Sequence, residues 1–301
     1  MQVEQMPFRE PVRHGSLDFP LAVYRSHPNL HAEILFSHWH DEIELMLLTG
    51  GEATFQLDGA SCRIKKGDML VINSGVIHAG TSEAFRECAF IAVVFDPSLF
   101  AGMMDAEERH AYLDPLLSRH MALPVRLDTH NDAASSLATA IRTAAEDWLA
   151  DASGSRAAMS AALLTLLAVS ARQGWFVPRD GDRTGGEGSK CARIRHAMHY
   201  VQTHSHQSID VEDMAARVHL SRFHFSRQFR EVTGMTPLAY LTRCRMQTAE
   251  TLLRDPDRRI MDIALDAGFG NASWFIACFR RIHGCTPAAF RSRMPDGGHS
   301  V

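Results

Sequence analysis

The strongest constraint on this chain is a repetition in its carboxy-terminal third. Asp213-Met214-Ala215, Phe225, Phe229, Gly234, Thr236-Pro237 and Tyr240 return as Asp262-Ile263-Ala264, Phe275, Phe279, Gly284, Thr286-Pro287 and Phe290. The offset is 50 residues from Phe225/Phe275 onward but 49 at Ala215/Ala264. The second copy therefore carries one extra residue in its inter-helix turn. A fixed period marks a supersecondary unit used twice.

Each copy predicts a helix-turn-helix. In the first, Val211–His219 is a short helix with Met214, Ala215 and Val218 on one face. Ser221 then suits the N-cap of Arg222–Val232, since its hydroxyl accepts from an unpaired backbone N–H. Phe225 and Phe229, one turn apart, are the expected buried anchors. Gly234 is placed to close the helix in the left-handed conformation, and Pro237 to open the next where no N–H is needed. In the second copy Gly268 supplies the turn and Asn271 caps Ala272–His283. Two hairpins of an ordinary helical bundle would not require paired caps, paired spacing and basic residues left outside, whereas a DNA-reading unit uses all three.

These residues resemble a known pattern. From about Ile194 to Arg293 the chain resembles the DNA-binding domain of AraC/XylS-type transcription regulators. The likeness rests on Ile263-Ala264, Ala267-Gly268-Phe269, Phe275, Phe279, Gly284, Thr286-Pro287 and Phe290-Arg291, and in the linking helix on Tyr240-Leu241, Arg245-Met246, Ala249 and Leu252-Leu253. It implies two helix-turn-helix units joined by a long helix, with double-stranded DNA as partner.

A length of 301 residues suits two domains, and the charge divides them. Residues 190–301 hold 16 Lys+Arg against 10 Asp+Glu, and residues 1–189 hold 15 against 25. The basic part carries the electrostatic footprint of phosphate binding, and the acidic part should not bind DNA. No apolar run approaches a membrane span. Met1 to Arg13 lacks a signal-peptide core, and the six cysteines form no CxxC pair, so reduced thiols in a cytoplasm are expected. Cys278 is expected to pack as a small hydrophobe, although a redox switch at Cys278 and Cys285 is conceivable.

The front half reads as short strands: Ala32–Leu35, Ile43–Leu48, Ala53–Leu57, Ser61–Lys65, Asp68–Ile72 and Cys88–Phe95, broken by glycines. Asp58-Gly59 between alternating runs is a hairpin signal. His38-Trp39-His40, then Glu44 and Gly50, and Gly67-Asp68 through Asn73-Ser74-Gly75 to His78, resemble the two cupin motifs. The expected fold class is therefore α+β: a cupin-like β-barrel followed by helices, then an all-α dual helix-turn-helix domain. In metal-binding cupins the positions matching His38, His40, Glu44 and His78 converge on one ion. Imidazole plus carboxylate suits Zn, Ni, Mn or Fe, and residues 38 and 40 would share a strand face. Asn73 stands where a proline is common, and some sensory cupins hold no metal, so the other reading of these four residues is that they hydrogen-bond a ligand or one another.

Beyond Pro97 the period becomes helical, with Asp132–Ala150 and Arg156–Gln173 expected as helices, the second apolar nearly all round. Family resemblance suggests that these pair two subunits; packing on the sheet is the other reading. Residues 1–177 are then the sensor and dimerisation domain, 178–189 a Gly-rich linker, 190–294 the DNA-binding domain and 295–301 a disordered tail.

The expected function is a cytoplasmic regulator whose cupin-like domain senses a small molecule and whose two units read adjacent major-groove segments. A homodimer is expected from the family resemblance, RNA polymerase is a further expected partner, and the sequence leaves activation or repression open. The competing class is a metal-dependent cupin oxygenase or isomerase, which has no need of the repeated unit; no catalytic triad, Walker loop or GxGxxG is visible. With Phe225 and Phe229 buried, Arg222, Phe223, Ser226, Arg227 and Arg230 face outward from the first reading helix. By the same offset Ala272, Ser273, Ile276, Ala277 and Arg280 do so from the second, with Arg281 beside them. The first set can make bidentate contacts to guanine, whereas Ile276 and Ala277 offer only apolar contact. The first unit is accordingly expected to supply most of the sequence discrimination.

Overall fold

The computed structural model describes residues 14–16, 18–26, 33–82, 88–127, 131–179 and 189–292. Most of the expected linker and the whole expected tail lie outside them. The chain divides into two compact units, Met1–Arg193 with Val232–Gly234 and Ile194–Glu231 with Met235–Val301.

The first unit is built on two antiparallel sheets. The strands are β1 (Leu21–Arg25), β2 (Glu33–His38), β3 (Ile43–Gly50), β4 (Glu52–Leu57), β5 (Ala60–Lys65), β6 (Met69–Ile72), β7 (His78–Thr81), β8 (Ala89–Phe95), β9 (Met121–Ala122), β10 (Arg126–Leu127) and β11 (Val177–Pro178). One sheet has the order β1-β8-β3-β6-β10 and the other β2-β7-β4-β5, while β9 and β11 pair apart. Asp58 and Gly59, both at positive φ, make the two-residue turn that sets Leu57 opposite Ala60. This is the hairpin that the sequence announced.

β3 explains the packing. Its first six residues are all buried, so both of its faces are covered. Met46 and Leu48 point toward the second sheet and pack with Leu35, Phe55, Leu57 and Ile64. Ile43, Leu45 and Leu47 point the other way, into a core shared with α1 (Asp132–Leu149) and α2 (Ser155–Gln173). α2 buries Met159, Leu163, Leu166 and Leu167 there, which accounts for its apolar character. Packing on the sheet is thus observed for both helices.

The second unit is all-helical: α3 (Lys190–His204), α4 (Val211–Ala216), α5 (Arg222–Thr233), α6 (Pro237–Leu252), α7 (Ile260–Asp266), α8 (Ala272–His283) and α9 (Pro287–Arg291). α4 is shorter than the expected Val211–His219, because His219 takes φ +55° and turns the chain. Gly268, at φ +89°, is its counterpart in the second copy. The Leu220 amide donates to the Ala215 carbonyl at 3.1 Å, and the Phe269 amide to that of Ala264 at 2.9 Å. Leu220 runs straight into Ser221, whereas Gly270 separates Phe269 from Asn271. Gly270 is the extra residue.

The aromatic cores repeat as well. Phe225, Phe229 and Tyr240 meet in turn, tilted or edge-to-face, with centroids 5.4 Å apart, and Phe275, Phe279 and Phe290 meet edge-to-face at 5.6 and 5.3 Å. Each buried ring contributes roughly 1.5–3 kcal/mol of transfer free energy. α6 serves both halves, burying Tyr240, Leu241 and Cys244 along its first part and Met246 and Ala249 along its second.

Candidate metal centre and nucleic-acid interface

The two sheets bring together the residues that the spacing singled out. Register pairs His38 at the end of β2 with His78 at the start of β7, and their rings lie 4.0 Å apart. Glu44 enters from β3 in the facing sheet, on the inward face with Met46 and Leu48. His40 differs from expectation. It lies past the end of β2, in the loop to β3, where its carbonyl accepts from the Gly75 amide at 2.8 Å. The loop, rather than a shared strand face, aims it inward. All four side chains are buried, and their ligand atoms lie within 4.8 Å of one another.

Protonation follows from the hydrogen bonds. His38 Nδ1 lies 2.8 Å from the Phe36 carbonyl, His40 Nδ1 3.2 Å from that of Glu42 and His78 Nδ1 2.9 Å from that of Val76. A carbonyl can only accept, so each Nδ1 carries a proton and each Nε2 is turned inward. Glu44 Oε2 lies 3.2 Å from His40 Nε2 and 3.3 Å from His78 Nε2. His38 Nε2 and Glu44 Oε1 are buried without hydrogen-bond partners. Three imidazoles and a carboxylate converging in a buried site suit a cation among them, as a proton or a metal ion. Burial holds the His38 pKa well below its usual value, helped by the neighbouring His78 and His40. Burial also pushes Glu44 up, but hydrogen bonds from His40 and His78 outweigh it and hold the carboxyl well below its usual range. The donor set, with each Nδ1 fixed by a carbonyl, fits a borderline divalent ion.

Two neighbours were not legible in the sequence. Asn73 leaves the cluster alone and clamps residue 123 instead, accepting from its amide and donating to its carbonyl, each at 2.9 Å. His14 is buried beside the site, its ring centroid 5.5 Å from that of His40 and its Nδ1 2.9 Å from the Tyr24 hydroxyl. It precedes the first strand and belongs to no motif, so spacing carried no signal for it.

On the reading helices the caps stand where expected. Ser221 Oγ accepts from the His224 amide at 3.4 Å, and Asn271 Oδ1 accepts from those of Ser273 and Trp274 at 2.7 and 3.2 Å. Arg222, Phe223, Arg227 and Arg230 are exposed on α5, as are Ser273, Ala277, Arg280 and Arg281 on α8. Ser226 is half-buried, and Ala272 and Ile276 are half-buried against the core of the second copy, so the outward set was drawn too generously there. Arg222 pairs with Glu212 at 2.8 Å. Sequence reasoning missed Trp274, which is 54% exposed on α8. Cys278 is buried and burial pushes its thiol up, which favours packing over redox chemistry.

Comparison with known proteins decides the family. Residues 20–167 match the family model described as the AraC-like ligand binding domain, and residues 214–293 match the helix-turn-helix domain model. The chain belongs to the AraC/XylS-type transcription regulators. It is 24% identical over 285 residues to an uncharacterized HTH-type regulator, YdeC of Bacillus subtilis, spanning 94% of this regulator and 95% of that protein. It is 37% identical over 100 residues to the transcriptional activator RhaS of Klebsiella pneumoniae, spanning 33% of this chain and only 36% of RhaS. Among solved structures, the DNA-binding domain of AdpA in complex with a target DNA is 35% identical and covers 33% of this chain and 90% of its own, with a TM-score of 0.32. ToxT of Vibrio cholerae is 12% identical and covers 92% of this chain and 98% of its own, with a TM-score of 0.44. The regulator thus pairs a ligand-binding amino-terminal domain with a DNA-binding carboxy-terminal one. None of its described helices is long and apolar enough to cross a membrane.

Proposed function

We propose that this regulator senses its effector at a divalent transition-metal centre held by His38, His40, Glu44 and His78. The observation that carries the proposal is the convergence of three buried imidazoles and a carboxylate whose ligand atoms lie within 4.8 Å of one another. A bound ion would supply Lewis acidity, so that an oxygen or nitrogen of the effector is recognised as a ligand. The four side chains orient that ion, and the apolar walls of the sandwich exclude water.

The readout follows in residues 190–294. Arg222, Phe223, Ser226, Arg227 and Arg230 of α5 enter one major-groove segment, and Ala272, Ser273, Ile276, Ala277, Arg280 and Arg281 of α8 enter the next. Residues 1–177 form the sensing and pairing domain, with 178–189 as linker. The helical hairpin of α1 and α2 pairs two copies into a homodimer. The regulator acts in the cytoplasm as an activator with RNA polymerase as partner, and binds its effector without turning it over.

Metal analysis of the purified full chain, joined to genome-wide footprinting with and without candidate metabolites, tests this. A stoichiometric ion in the wild type, absent from His40→Ala, together with effector-dependent footprints is the expected result. Equal metal content in the two proteins would remove the centre. Steady substrate turnover by the loaded protein would favour the cupin-enzyme reading instead.

A further inference from the structure

The described residues include three exposed aromatic side chains: Tyr112 at 36%, Trp274 at 54% and Phe223 at 74%. The two most exposed stand in the first turns of α5 and α8, one in each copy of the repeat. Half-exposing an indole in water gives up a large hydrophobic gain, and single exposed rings are ordinary on surfaces. In the 50-residue register Phe223 matches Ser273 and Trp274 matches His224, so each unit sets its exposed ring at its own position in the first turn. Phe275, Cys278 and Phe279 are buried and fix the rotation of α8. That rotation sets Trp274 on one arc with Ser273, Ala277, Arg280 and Arg281, all exposed. Ala277, one turn on, is too small to cover the indole, whereas its counterpart in the first copy is Arg227. The two copies therefore divide their chemistry. The first offers an arginine fork beside Phe223, and the second a flat apolar ring flanked by arginines.

We infer that Trp274 is the specificity-determining residue of the second unit, packing its ring against thymine C5-methyl groups in the major groove. The inference rests on the placement of α8 in that groove. The partner is double-stranded DNA because the two arginines along the same arc complement phosphate, and the thymine methyl is the apolar feature of the major-groove edge. An aromatic ring facing stacked base pairs meets methyls, not open base faces. Trp274 replaces Ile276 in this role, since Ile276 packs half-buried on its own core.

The test uses the full chain and a duplex selected by it from a random library. Each thymine under the second half-site is replaced in turn by deoxyuridine, which removes only the methyl. Wild type should bind roughly three- to fivefold more weakly at one or two positions, the equivalent of one buried methyl. Trp274→Ala should bind thymine and uracil duplexes equally, and Trp274→Phe should keep the discrimination. An undiminished uracil penalty in Trp274→Ala, or none at any thymine in the wild type, overturns the inference. Should Trp274→Ala lose all DNA binding, emission decides, as the fraction lost on substituting Phe reports one of the four tryptophans. That fraction should be quenched or shifted by the duplex, and an unchanged signal overturns the proposal. Arg227→Ala serves as control: if it neither weakens binding nor relaxes base preference, the placement of the reading helices has failed rather than Trp274.

Discussion

Single residues here act through what their neighbours leave them. The rings of His38, His40 and His78 turn their Nε2 atoms inward because carbonyls hold their Nδ1 protons. His40→Ala should therefore reduce metal content from near stoichiometric to near zero while DNA affinity without effector stays unchanged, as parallel metal and binding assays would show. These four residues were legible because imidazoles and a carboxylate at cupin spacing have a recognisable chemistry. His14 was not, since it reaches the site through a fold rather than a motif. Trp274 was missed for a different reason: beside Phe275 in a helix that buries two phenylalanines, a tryptophan reads as core. His219 shows a residue under backbone strain. It holds φ +55°, which a residue with a Cβ adopts at a penalty. His219→Gly should leave the fold intact and raise stability by about 0.5–1 kcal/mol, the gain from relieved strain being partly offset by a more flexible unfolded chain. Chemical denaturation would show it, and a loss of stability would mean that the imidazole itself contributes.

At the scale of elements, the repeat was readable because caps, anchors and turn residues recur in register. Even the extra residue of the second copy was foreseen from the change of offset, and it is Gly270. What could not be read was where α4 ends, since nothing in Arg217-Val218-His219 announces a left-handed residue as Gly268 does in the second copy. Nor did the sequence reveal the capping box that opens α4, in which the Asp210 side chain accepts from the Asp213 amide and Asp213 accepts from that of Asp210, each at 2.9 Å. Two substitutions rank the devices that hold the second unit. Asn271→Ala removes an acceptor serving two amides of α8 and should lower stability by about 1 kcal/mol. Gly268→Ala should be worse by more than that. The position is left-handed, and a Cβ there would run into the Ser205 carbonyl oxygen while the Arg245 side chain closes the other side. Thermal melts of the two variants should fall in that order, and the reverse order would mean that the turn adjusts more readily than the cap.

Across the whole molecule, charge does what hydrophobic pattern does within each unit. The formal charge of −4 conceals a basic DNA-binding part and an acidic ligand-binding part, so phosphate is attracted to the first and repelled by the second. Within the basic part several arginines are already engaged: Arg222 with Glu212, Arg258 with Asp266 and Arg259 with Asp262. Exposed pairs of this kind contribute little to stability, and they lower the charge presented to phosphate. Arg227, Arg230, Arg280 and Arg281 remain exposed along the reading helices. If Arg230, Arg280 and Arg281 supply the phosphate grip, the logarithm of the binding constant should fall with the logarithm of salt concentration at a slope of about −3 per copy. Arg280→Ala should reduce that slope by about 1 while weakening all sequences alike, because a phosphate contact carries no base information. Arg227→Ala should instead cost about 1–3 kcal/mol on the selected duplex and relax preference at one base pair. Titrations of the full chain across a range of salt concentrations, on selected and scrambled duplexes, separate the two behaviours. A slope near zero on the selected duplex would mean that apolar contacts, rather than arginines, hold the regulator on DNA.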